Sequence, residues 1–178
     1  MSFFADAFAA ETAYDQIKSP PPENWLSVHR TYDAQRFSPL ARISTTNVKD
    51  LQLKYAIGIG GSGANESLEA TPLVEDGFMY TVDGWGAVYK IDVRSGKTGQ
   101  VVWKMDPGAQ KPDRNRGVAL WKNLVISPVL DGRLVAINKD SGELVWERQI
   151  ADPAIGETIT AAPLVIRDLA VTGMAGGE

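Results

Sequence analysis

The sequence predicts an all-β fold, an incomplete β-propeller of about two to three blades. A segment of strand-like runs and turns recurs with a period near 45 residues, which is typical of a four-stranded propeller blade. Pro72, Val118 and Pro163 occupy equivalent positions, 46 and then 45 residues apart. A Ser-Gly turn followed by a tryptophan closes each of the first two repeats. Because one blade cannot bury both faces of its sheet alone, the repeats are expected to stack on one another.

Within each repeat, short β-branched and aromatic runs alternate with Asp-Gly, Asn and Ser-Gly turn signals, a pattern typical of antiparallel hairpins. We expect strands over Leu73–Tyr80, Ala87–Ile91, Leu124–Pro128 and Arg133–Ile137. Before the first repeat, Asn47–Leu51 predicts one short helical turn. The alternation of apolar and polar residues that follows this turn predicts a further strand.

Trp103 and Trp146 end the two complete repeats, and each is predicted to dock its outer strand against the following blade. An indole is a large plate whose N–H can donate a hydrogen bond, and the preceding Ser-Gly turn supplies a residue that tolerates positive φ. Both tryptophans should therefore be largely buried. This packing role is favoured over stacking on a ligand.

The repeats divide the chain into an N-terminal lead-in segment, residues 1–50, and a partial propeller, residues 51–178. The proline run in "SPPPENW" favours a stiff, extended lead-in. Two complete repeats and the start of a third are present, whereas propellers close with roughly four to eight blades. We therefore expect this chain to be part of a longer protein.

Composition narrows the classes of function. A net charge of −4 and the absence of a basic run argue against nucleic acid or an anionic membrane surface as partner. The chain has no cysteine, and therefore no disulfide and no cysteine-based metal or redox site. No apolar run approaches the roughly 18 residues of a membrane span. The start, "MSFFADAFAAE", resembles the small-residue end of an export signal but lacks its cationic beginning, and an ordinary frayed terminus is an equally good interpretation.

Two other signals carry little weight. Gly58-x-Gly60-x-x-Gly63 matches a dinucleotide-binding spacing, but no helix follows it to receive a pyrophosphate. His29, the single histidine, has no metal-ligand spacing around it, and a surface position is favoured over a ligand or a base.

Residues 136–146 follow the pattern A-x-N-x-x-S-G-E-x-x-W, which resembles the tryptophan-docking motif of the pyrroloquinoline-quinone (PQQ) dependent alcohol dehydrogenases. The earlier copy differs by a three-residue insertion after Lys97. "WLSVHRTYDAQRFSPLARISTTNV" is similar to the N-terminal segment of that family, and "EATPLV", "NRGVALW", "DGRLVAIN", "TITAAP" and "GGE" follow in the family's order. The resemblance implies that this chain is an N-terminal fragment of an eight-bladed quinoprotein propeller.

The resemblance also implies a cofactor site for PQQ. Glu69 of "EATPLV" matches the glutamate that contacts the polar edge of the quinone. Arg116 of "NRGVALW" matches the arginine that pairs with its carboxylates, and a guanidinium fork suits a tricarboxylated ligand. Thr160 of "TITAAP" matches a hydroxyl donor to the same carboxylates.

The end of the chain matches the family's metal-binding region. Ala175, Gly176 and Gly177 match a segment whose main chain lies against the cofactor. Glu178 matches the glutamate that ligates calcium beside the quinone, a role that suits a carboxylate. Calcium is the expected ion, with a lanthanide as the alternative. The family's aspartate base would lie beyond residue 178, so no catalytic residue is assigned within this chain.

Two positions depart from the family pattern. Many alcohol-oxidising members carry adjacent cysteines just before the "NRG" motif, where this chain has Gln110 and Lys111. In those members the two cysteines form a strained ring over the quinone. Because this chain lacks the ring, polyol, sugar and polymer oxidisers stay open as alternatives to a methanol dehydrogenase. Ala175 replaces a serine that is frequent in the family, so one hydroxyl contact to the cofactor is lost.

The resemblance implies an exported, periplasmic dehydrogenase that oxidises an alcohol, polyol or sugar hydroxyl to a carbonyl. Its partners would be a small-molecule alcohol and an electron acceptor such as a cytochrome c or a quinone. We expect this chain alone to be inactive. The alternative is a non-catalytic propeller scaffold of the outer-membrane assembly type that binds protein partners, and the presence of a downstream aspartate base and asparagine ligand would separate the two.

Overall fold

The structure, a computed structural model, describes residues 13–60, 67–111 and 114–176. Within these ranges the regular elements are one helix, α1 (Ala13–Lys18), two 3₁₀ turns (Val48–Asp50 and Pro153–Ile155) and short strands. The strands are β1 (Ser67–Leu68), β2 (Leu73–Glu75), β3 (Phe78–Val82), β4 (Val88–Asp92), β5 (Gln100–Met105), β6 (Arg114–Asn115), β7 (Ala119–Trp121), β8 (Leu124–Pro128), β9 (Arg133–Asn138), β10 (Leu144–Gln149), β11 (Leu164–Ile166) and β12 (Leu169–Val171). The predicted all-β class is confirmed.

The strands form two four-stranded antiparallel sheets and the beginning of a third. Blade 1 is β2-β3-β4-β5, blade 2 is β7-β8-β9-β10, and the hairpin β11-β12 is partial blade 3. In each blade the strands pair in chain order, as they do in a propeller. Two blades and the start of a third are the incomplete propeller that the repeat predicts.

The repeat is also visible in the backbone. Asp76, Lys122 and Arg167 have φ values of 50°, 50° and 55°, and they are separated by the same 46 and 45 residues as the sequence repeat. Each lies in the tight turn of the first hairpin of its blade, where positive φ matches the twist of the flanking strands. The prediction of one strand over Leu73–Tyr80 was wrong, because this turn divides the run into β2 and β3.

The other predicted elements agree with the structure to within a residue. The runs Ala87–Ile91, Leu124–Pro128 and Arg133–Ile137 correspond to β4, β8 and β9. The helical turn predicted at Asn47–Leu51 is the 3₁₀ turn Val48–Asp50.

No strand forms over residues 51–59, although the sequence alternates there as a strand does. The alternation nevertheless sets which side chains pack, because Tyr55, Ile57 and Ile59 are half-buried and the residues between them are exposed. Ile57 and Ile59 pack against a small cluster on blade 1 that includes Ile91.

Trp103 docks blade 1 onto blade 2 as predicted. Its indole Nε1 donates to the carbonyl oxygen of Lys139 at 2.9 Å. The same carbonyl accepts a hydrogen bond from Lys90 Nζ at 2.8 Å, and Lys139 Nζ reaches back to Glu75 Oε2 of blade 1 at 2.6 Å. The Trp103 ring is half-buried and packs over Gly142. One residue of blade 2 therefore joins three side chains of blade 1.

Trp146, the equivalent of Trp103, is also half-buried but has a different environment. It borders an apolar cleft with Trp121 and Leu169. The equivalent of Lys139 in the third repeat, 45 residues later, falls after residue 178. Blade 2 is instead joined to partial blade 3 by Trp121, whose Nε1 donates to the Arg167 carbonyl at 3.0 Å, a contact that the sequence did not indicate.

The core lies between the blades and extends to the lead-in segment. Val88, Val125 and Val135 are fully buried in it. Ile17 and Leu26 of the lead-in belong to the same cluster, with about 4% of their surface exposed. The domain boundary at residue 50 stays a prediction.

Candidate functional site

The short segments that lead into β2, β7 and β11 are hydrogen-bonded to one another through their backbones. The Thr71 N–H donates to the Arg116 carbonyl at 3.2 Å, and the Arg116 N–H donates to the Thr160 carbonyl at 3.0 Å. β1 and β6 pair in parallel in the same region. Since β2, β7 and β11 each begin a blade, these hydrogen bonds mark the inner end of the blades, where they converge on the propeller axis.

Arg116 joins the three repeats through its side chain. Its Nη1 donates to Thr160 Oγ1 at 2.7 Å, and its Nη2 lies 3.3 Å from Glu69 Oε2. Arg114 Nε lies 3.5 Å from the other oxygen of Glu69. The family resemblance assigned Glu69, Arg116 and Thr160 to one site, and the structure places Arg116 in contact with the other two.

The site is accessible and carries a net positive charge. The Arg116 and Glu69 side chains are 47% and 36% exposed. Two guanidinium groups face one carboxylate, so N–H donors of Arg114 and Arg116 are available to an anion. These N–H donors point in different directions, so they can bind more than one carboxylate group.

Asn115 and Gly117 hold Arg116 in position. Asn115 is buried, donates from Nδ2 to the Pro128 carbonyl at 2.9 Å, and accepts from the Gly117 N–H at 3.0 Å. Gly117 has a φ of 132°, and a Cβ there would lie 3.3 Å from the Thr71 carbonyl oxygen. Sequence reasoning did not assign either residue, although both flank Arg116 in the "NRG" motif.

Ala175 pairs with the segment that contains Thr160. It forms an isolated antiparallel bridge with Thr158, with N–H to carbonyl distances of 2.8 and 2.9 Å. Gly176 has a φ of 83°, and a Cβ there would collide with the Gly156 carbonyl oxygen. Glycine at position 176 is therefore required by packing within the chain. Gly177 and Glu178 lie outside the described residues.

A cleft of about 390 Å³ opens beside Arg116 and Glu69. Its far wall is the lead-in loop, including His29, Thr31 and Arg36. His29 is half-buried, and its Nδ1 accepts a hydrogen bond from Arg36 Nε at 2.9 Å. Apolar side chains such as Ile17, Leu26 and Val118 line the cleft together with these polar groups, a mixture typical of small-molecule sites.

A family model described as "PQQ: Glucose/ethanol/alcohol dehydrogenase, beta-propeller domain" matches residues 25–173. The chain belongs to this family. The matched range contains Glu69, Arg116 and Thr160.

Full-length relatives support the same assignment. The quinoprotein alcohol dehydrogenase PedH of Pseudomonas putida is 37% identical over 98% of this chain and 30% of its own length. The 1-butanol dehydrogenase (cytochrome c) of Thauera butanivorans is 41% identical over 80% of this chain and 21% of its own length. The chain thus spans less than a third of the length of these relatives.

Solved structures of the family have the same fold. A europium-containing methanol dehydrogenase superposes with a TM-score of 0.82 at 30% identity, covering 93% of this chain and 29% of that one. The quinohemoprotein alcohol dehydrogenase ADHIIG of Pseudomonas putida HK5 superposes with a TM-score of 0.81 at 38% identity, covering 94% and 26%. These matches support the quinoprotein interpretation over the scaffold alternative.

Gln110 and Lys111, the pair that the resemblance matches to the family's adjacent cysteines, are both exposed. Gln110 Nε2 donates to the Gly108 carbonyl at 3.1 Å. Neither residue lines the cleft beside Arg116; Gln110 borders a separate open depression with Gly58 and Asp83.

The described ranges contain no group of three or more acidic or histidine side chains placed to hold a metal ion. The same ranges contain no helix long and apolar enough to cross a membrane.

Proposed function

We propose that this chain is the N-terminal part of a PQQ-dependent dehydrogenase that oxidises an alcohol, polyol or sugar hydroxyl to a carbonyl. The contact of Arg116 with Glu69 and Thr160 carries the proposal, because it brings one residue from each of three successive repeats into a single polar site. The names of the relatives support alcohols as the substrate class.

The residues present fit a tricarboxylated quinone. The exposed forks of Arg114 and Arg116 can bind carboxylates in a bidentate manner, and Thr160 supplies a hydroxyl beside them. Glu69 holds both guanidinium groups and can accept a hydrogen bond from a ring N–H of the cofactor. The main chain of Ala175 and Gly176 contributes the adjoining surface. When bound, the quinone supplies the two-electron acceptor for the reaction.

We assign Glu178 as one ligand of a calcium ion, or of a lanthanide, beside the cofactor. A hard cation takes roughly six to eight oxygen ligands, so further ligands would come from outside this chain. The europium-containing relative supports the lanthanide alternative. The proton of the substrate hydroxyl would pass to a carboxylate base beyond residue 178. This chain alone is therefore expected to be inactive.

We assign a cytochrome c or a quinone as the electron acceptor. The relatives include a 1-butanol dehydrogenase (cytochrome c) and the dehydrogenase subunit of an alcohol dehydrogenase (quinone) from Acetobacter aceti. We assign the periplasm as the location, as the family resemblance implies. Residues 1–12, which include the segment similar to an export signal, lie outside the described residues.

The substitution Arg116→Lys in the full-length protein tests the cofactor site. Lysine keeps the charge but loses the planar fork, so it cannot bind a cofactor carboxylate in the bidentate manner. The affinity for PQQ, measured by titration of the cofactor-free protein, should fall about tenfold or more.

Arg94→Lys is the matched control. Arg94 also forms a forked ion pair, with Asp92, but it lies on the exposed side of blade 1. This variant should bind PQQ as the unmodified protein does. Equal affinity in the Arg116 and Arg94 variants would contradict the proposal.

A further inference from the structure

The lead-in segment covers the inner edges of the blades. Within blade 1, β2 has a strand partner on one side only, and Trp25 occupies the other side. The Trp25 N–H donates to the Val74 carbonyl at 2.7 Å, and the Val74 N–H donates back at 3.0 Å. An exposed strand edge presents unpaired N–H and C=O groups, and this pairing satisfies them.

A second contact reaches the inner edge of partial blade 3. The Tyr32 hydroxyl donates to the carbonyl oxygen of Val165, in the middle of β11, at 2.6 Å. The Tyr32 ring stacks on Tyr14, with centroids 5.0 Å apart. Burial, and next the nearby Tyr14, raise the pKa of Tyr32, so the hydroxyl remains a donor at neutral pH.

Between these two contacts, Ile17 and Leu26 pack in the same cluster as Val118 and Leu120, which lie at and just before β7. Residues 17–36, which we call the plug segment, therefore contact the inner strands of blade 1 and partial blade 3 and share a hydrophobic cluster with the inner strand of blade 2. Asn24 holds the plug segment against the end of β2 through two hydrogen bonds with Asp76. Its Oδ1 accepts from the Asp76 N–H at 2.9 Å, and its Nδ2 donates to Asp76 Oδ1 at 3.0 Å. Asp76 lies in the turn that follows β2, at the opposite end of that strand from Glu69.

The conformation of the plug segment is specific. Arg30, Ala34 and Arg36 have φ values of 72°, 57° and 52°, a region that costs a non-glycine residue about 1 kcal/mol or more. Arg30 is buried and donates to the carbonyls of Pro20 and Pro21 at 3.3 and 3.4 Å. Such a loop persists only where its surroundings hold it in place.

We propose that the plug segment fills the axial channel of the propeller beneath the Arg116 site, so that the cofactor pocket is closed at this end and opens only at the other. The plug segment lines the same cleft as Glu69 and Arg116, through Ser27, Val28, His29, Thr31, Tyr32 and Arg36. Excluding water from that side strengthens the charge-assisted contacts to a bound anion. The position of the plug rests on the contacts above, and its effect on the cofactor rests on the proposed function.

Hydrogen exchange of this chain tests the position of the plug without any cofactor. The Trp25 and Val74 amides should be protected, and Tyr32→Phe should speed their exchange about fivefold through loss of one hydrogen bond. Asn24→Ala removes the contacts to Asp76 and should have a similar effect. Tyr55→Phe, which removes a hydroxyl from the segment outside blade 1, is the control and should leave both amides unchanged. Exchange of the Trp25 and Val74 amides at the rate of an unstructured peptide in the unmodified chain would overturn the proposal.

The rate of PQQ release from the full-length protein tests the effect of the plug. Tyr32→Phe should speed release about fivefold, whereas Tyr55→Phe should not change it. Protected amides together with an unchanged release rate would overturn the closing role. Protected amides together with no PQQ binding in the unmodified protein would contradict the proposed function and leave the position of the plug supported.

Discussion

At the scale of single residues, Gly142 and Trp103 show how a turn sets the spacing between blades. Gly142 has a φ of 75°, and a Cβ at this position would lie 2.8 Å from the Trp103 ring. The ring cannot easily move away, because its N–H is bonded to the Lys139 carbonyl. The Ser-Gly turn thus requires glycine for two reasons, its backbone conformation and the contact with the tryptophan of the preceding blade.

Gly142→Ala should lower the free energy of unfolding by about 2–3 kcal/mol. Gly96→Ala is the matched control, because Gly96 has a φ of 62° in the equivalent turn but no atom within 4 Å of its added Cβ. The control should cost about 1 kcal/mol, the strain of the backbone alone. Urea unfolding of both variants measures the difference, and equal losses would show that the Trp103 contact does not restrict position 142.

The exposed pair of Asp92 and Arg94 gives a prediction about pH. Hydrogen bonds from the Arg94 side chain, and next from its backbone N–H, lower the pKa of Asp92 to about 2. Because this pKa is below that of an unfolded aspartate, near 3.9, the stabilisation is present above about pH 4 and is lost as the pH falls through about 2. In Arg94→Gln, the NMR titration midpoint of Asp92 should rise toward its ordinary value.

Lys97→Gln is the control, since it removes the same charge from the same turn. It should move the Asp92 midpoint less than Arg94→Gln does. Equal shifts in the two variants would indicate a general effect of charge instead of the direct hydrogen bonds.

At the scale of elements, the local parts of each blade could be predicted from the sequence and the long-range parts could not. The docking of Trp103 depends on a short motif that recurs with the repeat. The Asp-Gly signal at Asp76 and Gly77 is also local, but the predicted strand over Leu73–Tyr80 ran through it. The pairing of Trp25 with Val74 and of Tyr32 with Val165 joins positions far apart in the chain, and no local pattern encodes it. Residues 51–59 alternate as a strand does but do not form one.

The two docking tryptophans should differ in this chain. Trp103→Ala removes a hydrogen bond to Lys139 and the contact with Gly142, so it should cost about 3 kcal/mol. Trp146 borders an open cleft beside the hairpin of partial blade 3, so Trp146→Ala should cost about 1–2 kcal/mol. Urea unfolding checks both values. A loss for Trp146→Ala as large as that for Trp103→Ala would contradict the difference in docking.

At the scale of the whole molecule, the convergence of the blades creates the candidate site. Glu69, Arg116 and Thr160 each precede the first strand of a blade, so the propeller geometry alone brings them together. The family resemblance named these three residues, and the structure adds Arg114, Asn115 and Gly117, whose contributions depend on contacts between repeats. The roles of Gly177 and Glu178 stay predictions.

We propose that the quinone binds where the blades converge. A structure of the full-length protein with PQQ bound tests it most directly. We expect the Arg116 guanidinium within hydrogen-bond distance of a cofactor carboxylate, with Thr160 beside the same group and the plug segment closing the channel below. PQQ bound elsewhere, with Arg116 and Thr160 contacting only each other and Glu69, would show that these residues do not form the cofactor site.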